Sequence, residues 1–381
     1  MCMWQEYLYI KNFGPVKRAE IEDIKQFMFF VGESGSGKST ILKVLAMMRH
    51  IYKQLNLRSY LKLGNVTDKI FGLDMGEYFH KGGMKDYLCA DTEFVYRNGD
   101  NEIAYTRRGG LSGTRNIIQA EQLSLEKISF MSDKRGAIAS LLANNSDGAG
   151  LGFYFQETFK DFYEAINHIE SIEMPFLNMR YHEKKQSGRR QFFIGNVEGT
   201  FDIHFEDASS GMQTTTPLAI IAEYYSKCFD IVREGNNSIL KLLGRNDLLS
   251  SFKHNMNVGD IKKRSIHMII EEPELSLFPK AQRSTINMLV RKCLNSQTRM
   301  TLAIATHSPY IINHLNLLMK AADKGKLIEG ASLDYEKTGV YVVENGMLRD
   351  MKVKNAHLIN TDYLSDDIND IYDTYNLLDK N

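Results

Sequence analysis

The chain has 381 residues, 43% of them hydrophobic, and its 47 Lys+Arg balance its 47 Asp+Glu to a net charge of zero. That length supports one large domain or two ordinary ones, and the neutral balance removes global charge as a sign of nucleic-acid binding while leaving a local basic patch open. Cys2, Cys89, Cys228 and Cys293 show no C-x-x-C spacing, so reduced thiols are expected, and no stretch nears the ~20 apolar residues of a membrane span, so a soluble cytoplasmic protein without membrane partners is expected.

In chain order, Tyr7-Leu8-Tyr9-Ile10 and Ala19-Glu20-Ile21 read as a strand pair. Phe27-Met28-Phe29-Phe30-Val31 is a continuous apolar run that suits a buried strand. It leads into Gly32-Glu33-Ser34-Gly35-Ser36-Gly37-Lys38-Ser39-Thr40, a complete P-loop, and Ile41, Val44, Leu45, Met48 and Ile51 then recur at helical spacing. Strand, glycine loop and helix are what triphosphate binding needs. The glycines let backbone N–H groups curl around the phosphates at a helix N-terminus, Lys38 would reach the β- and γ-phosphates, and the Ser39 hydroxyl would hold Mg²⁺. The expected ligands are therefore ATP and Mg²⁺.

Glu93 to Arg108 alternates around Asn98-Gly99, a hairpin pattern, and Lys127 to Met131 is a further strand. From about 136 to 180 the pattern turns helical, with Phe155, Phe159, Phe162, Tyr163, Ile166 and Ile169 as an apolar stripe that reads as core. The basic stretch Arg180, His182, Lys184, Lys185, Arg189, Arg190 suits a nucleic-acid contact or a flexible charged loop equally well. Ser209-Ser210-Gly211-Met212-Gln213 precedes a helical stretch from Leu218 to Tyr225. It reads as a second anion-binding helix start or a simple N-cap.

The buried-strand run Ile266 to Ile270 ends directly in Glu271-Glu272-Pro273-Glu274. Two adjacent carboxylates at a strand end supply what a P-loop lacks, one for the metal shell and one to orient or deprotonate the attacking water; an acidic strand end before a proline turn is the plain alternative. Leu302 to Ala305 is another strand, followed by Thr306-His307-Ser308-Pro309, where His307 would point into the ligand crevice of an α/β sheet. Val340 to Val343 and Met347-Leu348 flank Asn345-Gly346, a second hairpin. Asp362, Asp366, Asp367, Asp370 and Asp373 suggest a metal site, but they interleave with Ile368, Ile371, Tyr375 and Leu378, as on an amphipathic helix with a solvated acidic face, which is the reading preferred. The fold class expected is α/β, a P-loop NTPase with a mixed central sheet, an antiparallel β edge and an inserted helical lobe. Residues 1–140 would form the nucleotide lobe, 141–255 the helical lobe, and 256–381 the remainder of the core with its C-terminal hairpin and helix.

Taken in order, these residues resemble the ABC-type ATPases of the SMC/RecF/OLD branch, over most of the chain outside about 140–200. The resemblance implies that Ser209 to Gln213 is the signature motif, Glu271-Glu272 the Walker B pair and His307 the switch histidine. Tyr9-Ile10-Lys11-Asn12-Phe13-Gly14-Pro15 matches the family's opening strand and loop. Glu271 would then be the metal-coordinating acid and Glu272 the catalytic one, with Ser209, Ser210, Gly211 and Gln213 capping the nucleotide of a second copy. Departures are Glu271 where transporter and SMC ATPases carry Asp, and Leu277-Phe278-Pro279 where the OLD subgroup continues Leu-His-Pro. Residues 308–381 are too few for the Toprim nuclease of OLD proteins. The resemblance therefore implies an ATPase, a homodimer or higher homo-oligomer, that controls a separate effector such as a nuclease or toxin. PtuA-like antiphage ATPases are of this kind. The other reading is a RecF-like repair ATPase that clamps DNA.

Overall fold

The computed structural model describes residues 5–66, 73–144, 146, 150–186, 188–245, 248–249, 252–253, 256–353, 355–364 and 366–378. Cys2 and the proposed lobe boundary at 255 lie outside them. The first half runs β1 (Glu6–Phe13), β2 (Val16–Ile21), β3 (Phe27–Val31), α1 (Lys38–Leu63), α2 (Met75–Lys81), β4 (Leu88–Asn98), β5 (Asn101–Thr106), β6 (Gly110–Ser112), β7 (Ser124–Met131), α3 (Ile138–Ala143) and α4 (Phe153–Ala165). There follow β8 (Ser171–Met174), β9 (Met179–Gln186), β10 (Arg189–Asn196), β11 (Asp202–His204), α5 (Ser210–Lys227) and α6 (Ile231–Arg245). The chain continues through β12 (Lys263–Glu271), α7 (Pro279–Leu294), β13 (Arg299–Thr306), α8 (Pro309–Asp323), β14 (Thr338–Glu344), β15 (Met347–Asp350), β16 (Lys352–Val353), β17 (Leu358–Ile359) and α9 (Asp366–Leu378).

The fold is α/β around an 11-stranded mixed sheet of order β6-β5-β4-β1-β2-β15-β14-β3-β13-β12-β7. The half from β14 to β7 is parallel, and β1, β2, β4, β5 and β6 form the antiparallel edge. Strand β3 is buried on both faces, which is why it reads as unbroken apolar sequence. Phe27, Phe29 and Val31 enter the core shared with Leu218, Leu289 and Ile311, while Met28 and Phe30 enter the one shared with Ile41, Val44 and Leu45 of α1. Helices thus cover both faces.

Both hairpins form where the sequence places them. Glu344 pairs with Met347 across Asn345 (φ 52) and Gly346 (φ 77), two left-handed residues as a two-residue hairpin turn requires. The lobe between β7 and β12 differs in its middle. Helix stops at Ala165, and from Ser171 the chain forms a four-stranded antiparallel sheet β11-β10-β9-β8. The basic stretch is therefore not a loop but the hairpin β9–β10. Three of its six basic residues meet acids: His182 and Lys184 with Asp202, Arg190 with Glu183. Among the described residues Cys89, Cys228 and Cys293 are free thiols, and no helix is long and apolar enough to cross a membrane.

Helix α1 is pinned from below. Arg49 donates to both oxygens of Glu6 on β1 at 2.7 and 2.8 Å, and the Tyr96 hydroxyl donates to the same carboxylate. The pair is buried; although burial alone would raise it, the guanidinium holds the Glu6 carboxyl down at about 2. Removing one partner of such a pair strands the other charge. The glycine loop above this helix therefore sits on a fixed base.

Candidate active site

The site is assembled at the C-terminal ends of three adjacent parallel strands, β3, β13 and β12, where α/β sheets open their ligand crevices. Gly32 to Gly37 turn from β3 into α1. Gly37 caps the helix at φ 115, a conformation open mainly to glycine, and no side chain caps the helix or places an acid in its first turn. Its first N–H groups thus keep their hydrogen-bonding capacity for an anion. Glu33, Ser34 and Gly35 are exposed, Ser36 and Ser39 half-buried, Lys38 and Thr40 buried. The Ser36 hydroxyl is enclosed without a hydrogen-bond partner, an unspent polar group inside the loop.

Lys38 Nζ donates to the carbonyls of Gly32 (2.8 Å) and Glu33 (2.7 Å) and lies 3.5 Å from His307 Nδ1. Burial pushes this ammonium down to about 8, against the pull of Glu272, Glu274 and Glu33. The sign for ligand binding follows: a phosphate needs the protonated form, which persists below that value and is lost above it. ATP affinity is expected to hold below pH 8 and to weaken about fivefold between pH 8 and 9, read by calorimetry, as one proton must be taken up on binding.

Glu271 and Glu272 end β12 in different surroundings. Glu271 is buried, and burial raises its carboxyl above the usual range while Lys43, the Ser39 hydroxyl and the Asp133 N–H pull it down. Ser39 and Glu271 thus meet at one corner, an oxygen-only donor set that fits a hard divalent cation such as Mg²⁺. Glu272 is half-exposed and left-handed (φ 45), a cost of roughly 1–3 kcal/mol for a residue with a side chain. Its N–H donates to Ala305 O at 2.8 Å, and its carboxylate lies 3.3 Å from His307 Nε2. Lys38 has only donors, so Nδ1 of His307 accepts and its Nε2–H faces Glu272, an assignment from the bonding pattern. Lys38, His307 and Glu272 form one line of contacts.

Three residues of the corner are not in the sequence reading as site residues. Glu274 accepts from the Thr306 hydroxyl (2.8 Å) and the His307 N–H (2.6 Å), so it fixes the loop that carries the histidine. Arg135 is fully buried and spends its guanidinium on backbone. It donates to the carbonyls of Glu271 (2.7 Å), Glu272 (2.5 Å), Ser132 (3.1 Å) and Thr214 (2.9 Å). It holds Glu272 in its strained shape and ties it to α5. Asp133 comes to Glu271 from the end of β7. The third carboxylate of the Glu-Glu-Pro-Glu run signals Glu274, and an arginine just past a buried strand signals Arg135.

Ser209 to Gln213 open α5 on a separate segment of the chain. Ser209 is the N-cap of α5, and with Ser210 it is exposed; the first turn again has neither a side-chain cap nor an acid. A Cβ on Gly211 would sit 2.7 Å from Ser276 O, so glycine permits the close packing of this turn on 276–277. The Thr214 hydroxyl donates to Leu275 O at 3.0 Å, and Gln213 Nε2 donates to Glu206 O at 2.6 Å. Next to it Phe278 projects into solvent, 79% exposed.

No family model and no curated protein matches the chain. Among solved structures it is similar to an SMC head bound to the C-winged-helix domain of ScpA (12% identity, 93% of this chain, 99% of that one, TM-score 0.41). It is similar also to the recombination mediator RecF of the RecFOR pathway (11%, 92% and 98%, TM-score 0.36). The SMC head domain from Thermotoga maritima is a third (13%, 92% and 99%, TM-score 0.34). No role is taken from likeness this distant; the chemistry of the site follows from this chain's own side chains.

Proposed function

We propose that the chain binds and hydrolyses ATP as an ABC-type ATPase of the SMC and RecF kind, two copies closing around two nucleotides. One observation carries this: the glycine loop, Glu271, Glu272 and His307, far apart in sequence, converge on one corner while Ser209 and Ser210 present a second uncapped helix start elsewhere. In this reading the backbone from Gly32 to Gly37 and Lys38, with Thr40 behind them, hold the phosphates. Ser39 and Glu271 hold Mg²⁺, which when bound neutralises phosphate charge. Glu272 orients or deprotonates the attacking water, and His307 touches the γ-phosphate between Lys38 and Glu272. Ser209, Ser210, Gly211 and Gln213 of one copy cap the nucleotide of the other, so ATP joins the pair and hydrolysis parts it.

The output goes to a separate effector, a nuclease or toxin, as in the antiphage ATPases the sequence resembles. Helix α9 supports a partner: Ile371, Tyr372, Tyr375 and Leu378 are 63–72% exposed on a helix with no base in its last turn. Clamping of DNA is the second reading; on that hairpin Asp202 and Glu183 engage His182, Lys184 and Arg190, while Arg189 stays exposed.

Mixing tests the shared site. Ser210→Arg should retain ATP binding yet lose turnover, and Lys38→Ala should lose both. An equimolar mixture should regain turnover, because a mixed pair holds one intact composite site. Two inactive proteins that stay inactive together contradict the shared site.

A further inference from the structure

Away from this corner, the inserted lobe holds a cleft of about 1080 Å³ between α3–α4 and β10 with the turn His204 to Glu206. It is just above the roughly 300–1,000 Å³ of small-ligand sites. Phe159, Tyr163, Phe192 and Phe205 line it, with the imidazole of His204. Helix α4 buries Phe155 and Phe162 but leaves Tyr163 53% exposed, so this ring is not spent on the core as its helical spacing suggests. Phe159 and Tyr163 lie 6.2 Å apart, tilted by 30°, a stepped aromatic surface.

The polar groups around the rings are of two kinds. Lys160 and Arg189 are exposed cations at the cleft, and among the described residues neither has an ion-pair or hydrogen-bond partner. Arg190 is already engaged by Asn167, Ile166 O and Glu183 and forms wall. Gln156, Gln191 and the carboxylate of Glu206 offer donors and acceptors to a ring edge. The exposed face of Tyr163, edge-reading amides and unpaired cations together match a base with its phosphate, the chemistry by which single strands are held. A duplex hides its base faces and does not fit.

One wall leads to the Ser209–Gln213 turn and the other to the acidic pair. The turn His204 to Glu206 runs straight into Ser209, with Gln213 tied back to Glu206 O. Helix α3 continues the turn that carries Arg135, which grips Glu271 and Glu272. We propose that this cleft binds a nucleobase with its phosphate, from single-stranded nucleic acid or a free nucleotide, and passes its occupancy to the Ser209–Gln213 segment. The binding stands alone; the coupling rests on the proposed ATPase.

Fluorescence anisotropy with short labelled oligo(dT) and oligo(rU) tests it, with blunt duplex and UMP as competitors and Lys38→Ala protein for the UMP arm. Tyr163→Ala and the pair Lys160→Glu/Arg189→Glu should each weaken oligonucleotide binding at least about fivefold, the low end for one lost stacking contact, while Tyr163→Trp keeps it. UMP competing as well as the oligonucleotide supports a free nucleotide as source; the oligonucleotide winning supports a strand. Basal ATP turnover should be unchanged in the cleft variants, and any change the oligonucleotide causes in wild type should vanish in them. Absent or equal binding in wild type and variants, or equal competition by duplex, overturns the cleft. Oligonucleotide binding without any ATP turnover supports the cleft and removes the ATPase; turnover without binding does the reverse.

Discussion

Glu272→Gln is expected to bind ATP normally and to turn it over at least about 100-fold more slowly, the usual scale for a lost general base. The two neighbouring glutamates divide their work by surroundings. Glu271 is buried against Ser39 and Lys43, where a carboxylate serves a cation or the fold. Glu272 is half-exposed, turned out by its left-handed backbone and aimed at His307. Gln keeps the size and the hydrogen bond from Nε2–H, so the strand end should not rearrange. Calorimetry for binding and phosphate release for turnover separate the effects. Glu271→Gln losing only turnover while Glu272→Gln loses binding would exchange the two roles.

Lys38→Ala should remove ATP binding from the range calorimetry detects. The ammonium already sits inside the loop, 2.8 and 2.7 Å from the Gly32 and Glu33 carbonyls, so its charge is where phosphate oxygens would lie. Backbone N–H groups alone do not offset a triphosphate's charge, and a charged hydrogen bond is worth roughly twice a neutral one. The helix itself should survive, since α1 is held by the Arg49–Glu6 pair about three turns further along it. Unchanged affinity would remove the P-loop assignment.

Much of this site is legible in sequence because local rules and tertiary role coincide there. A strand buried on both faces must be apolar throughout, a phosphate loop must be glycine-rich, and Glu271-Glu272 follow a strand with no intervening turn. The strand-rich middle of the lobe is less legible. Cross-strand pairs such as His182 with Phe193 and Tyr181 with Ile194 specify it, and these follow from register rather than from a run of one residue type. The basic residues of β9–β10 read equally as a nucleic-acid contact or a charged loop because the acids Asp202 and Glu183 are set opposite some of them only by folding. Arg135 is the clearest loss: its four acceptors are backbone carbonyls from three separate segments, which leave no mark on residue identity. Tyr163 shows the reverse, an aromatic at core spacing that folding leaves in a cleft.

The central claim is that ATP itself joins two copies through the Lys38 corner of one and the Ser209–Ser210 turn of the other. Light scattering on Glu272→Gln protein, which should hold ATP without consuming it, tests this most directly. The account predicts a monomer mass without nucleotide, a doubled mass with ATP, and no such change when Ser210→Arg is added to the same chain. The same mass with and without ATP, or doubling that ignores Ser210→Arg, would contradict it.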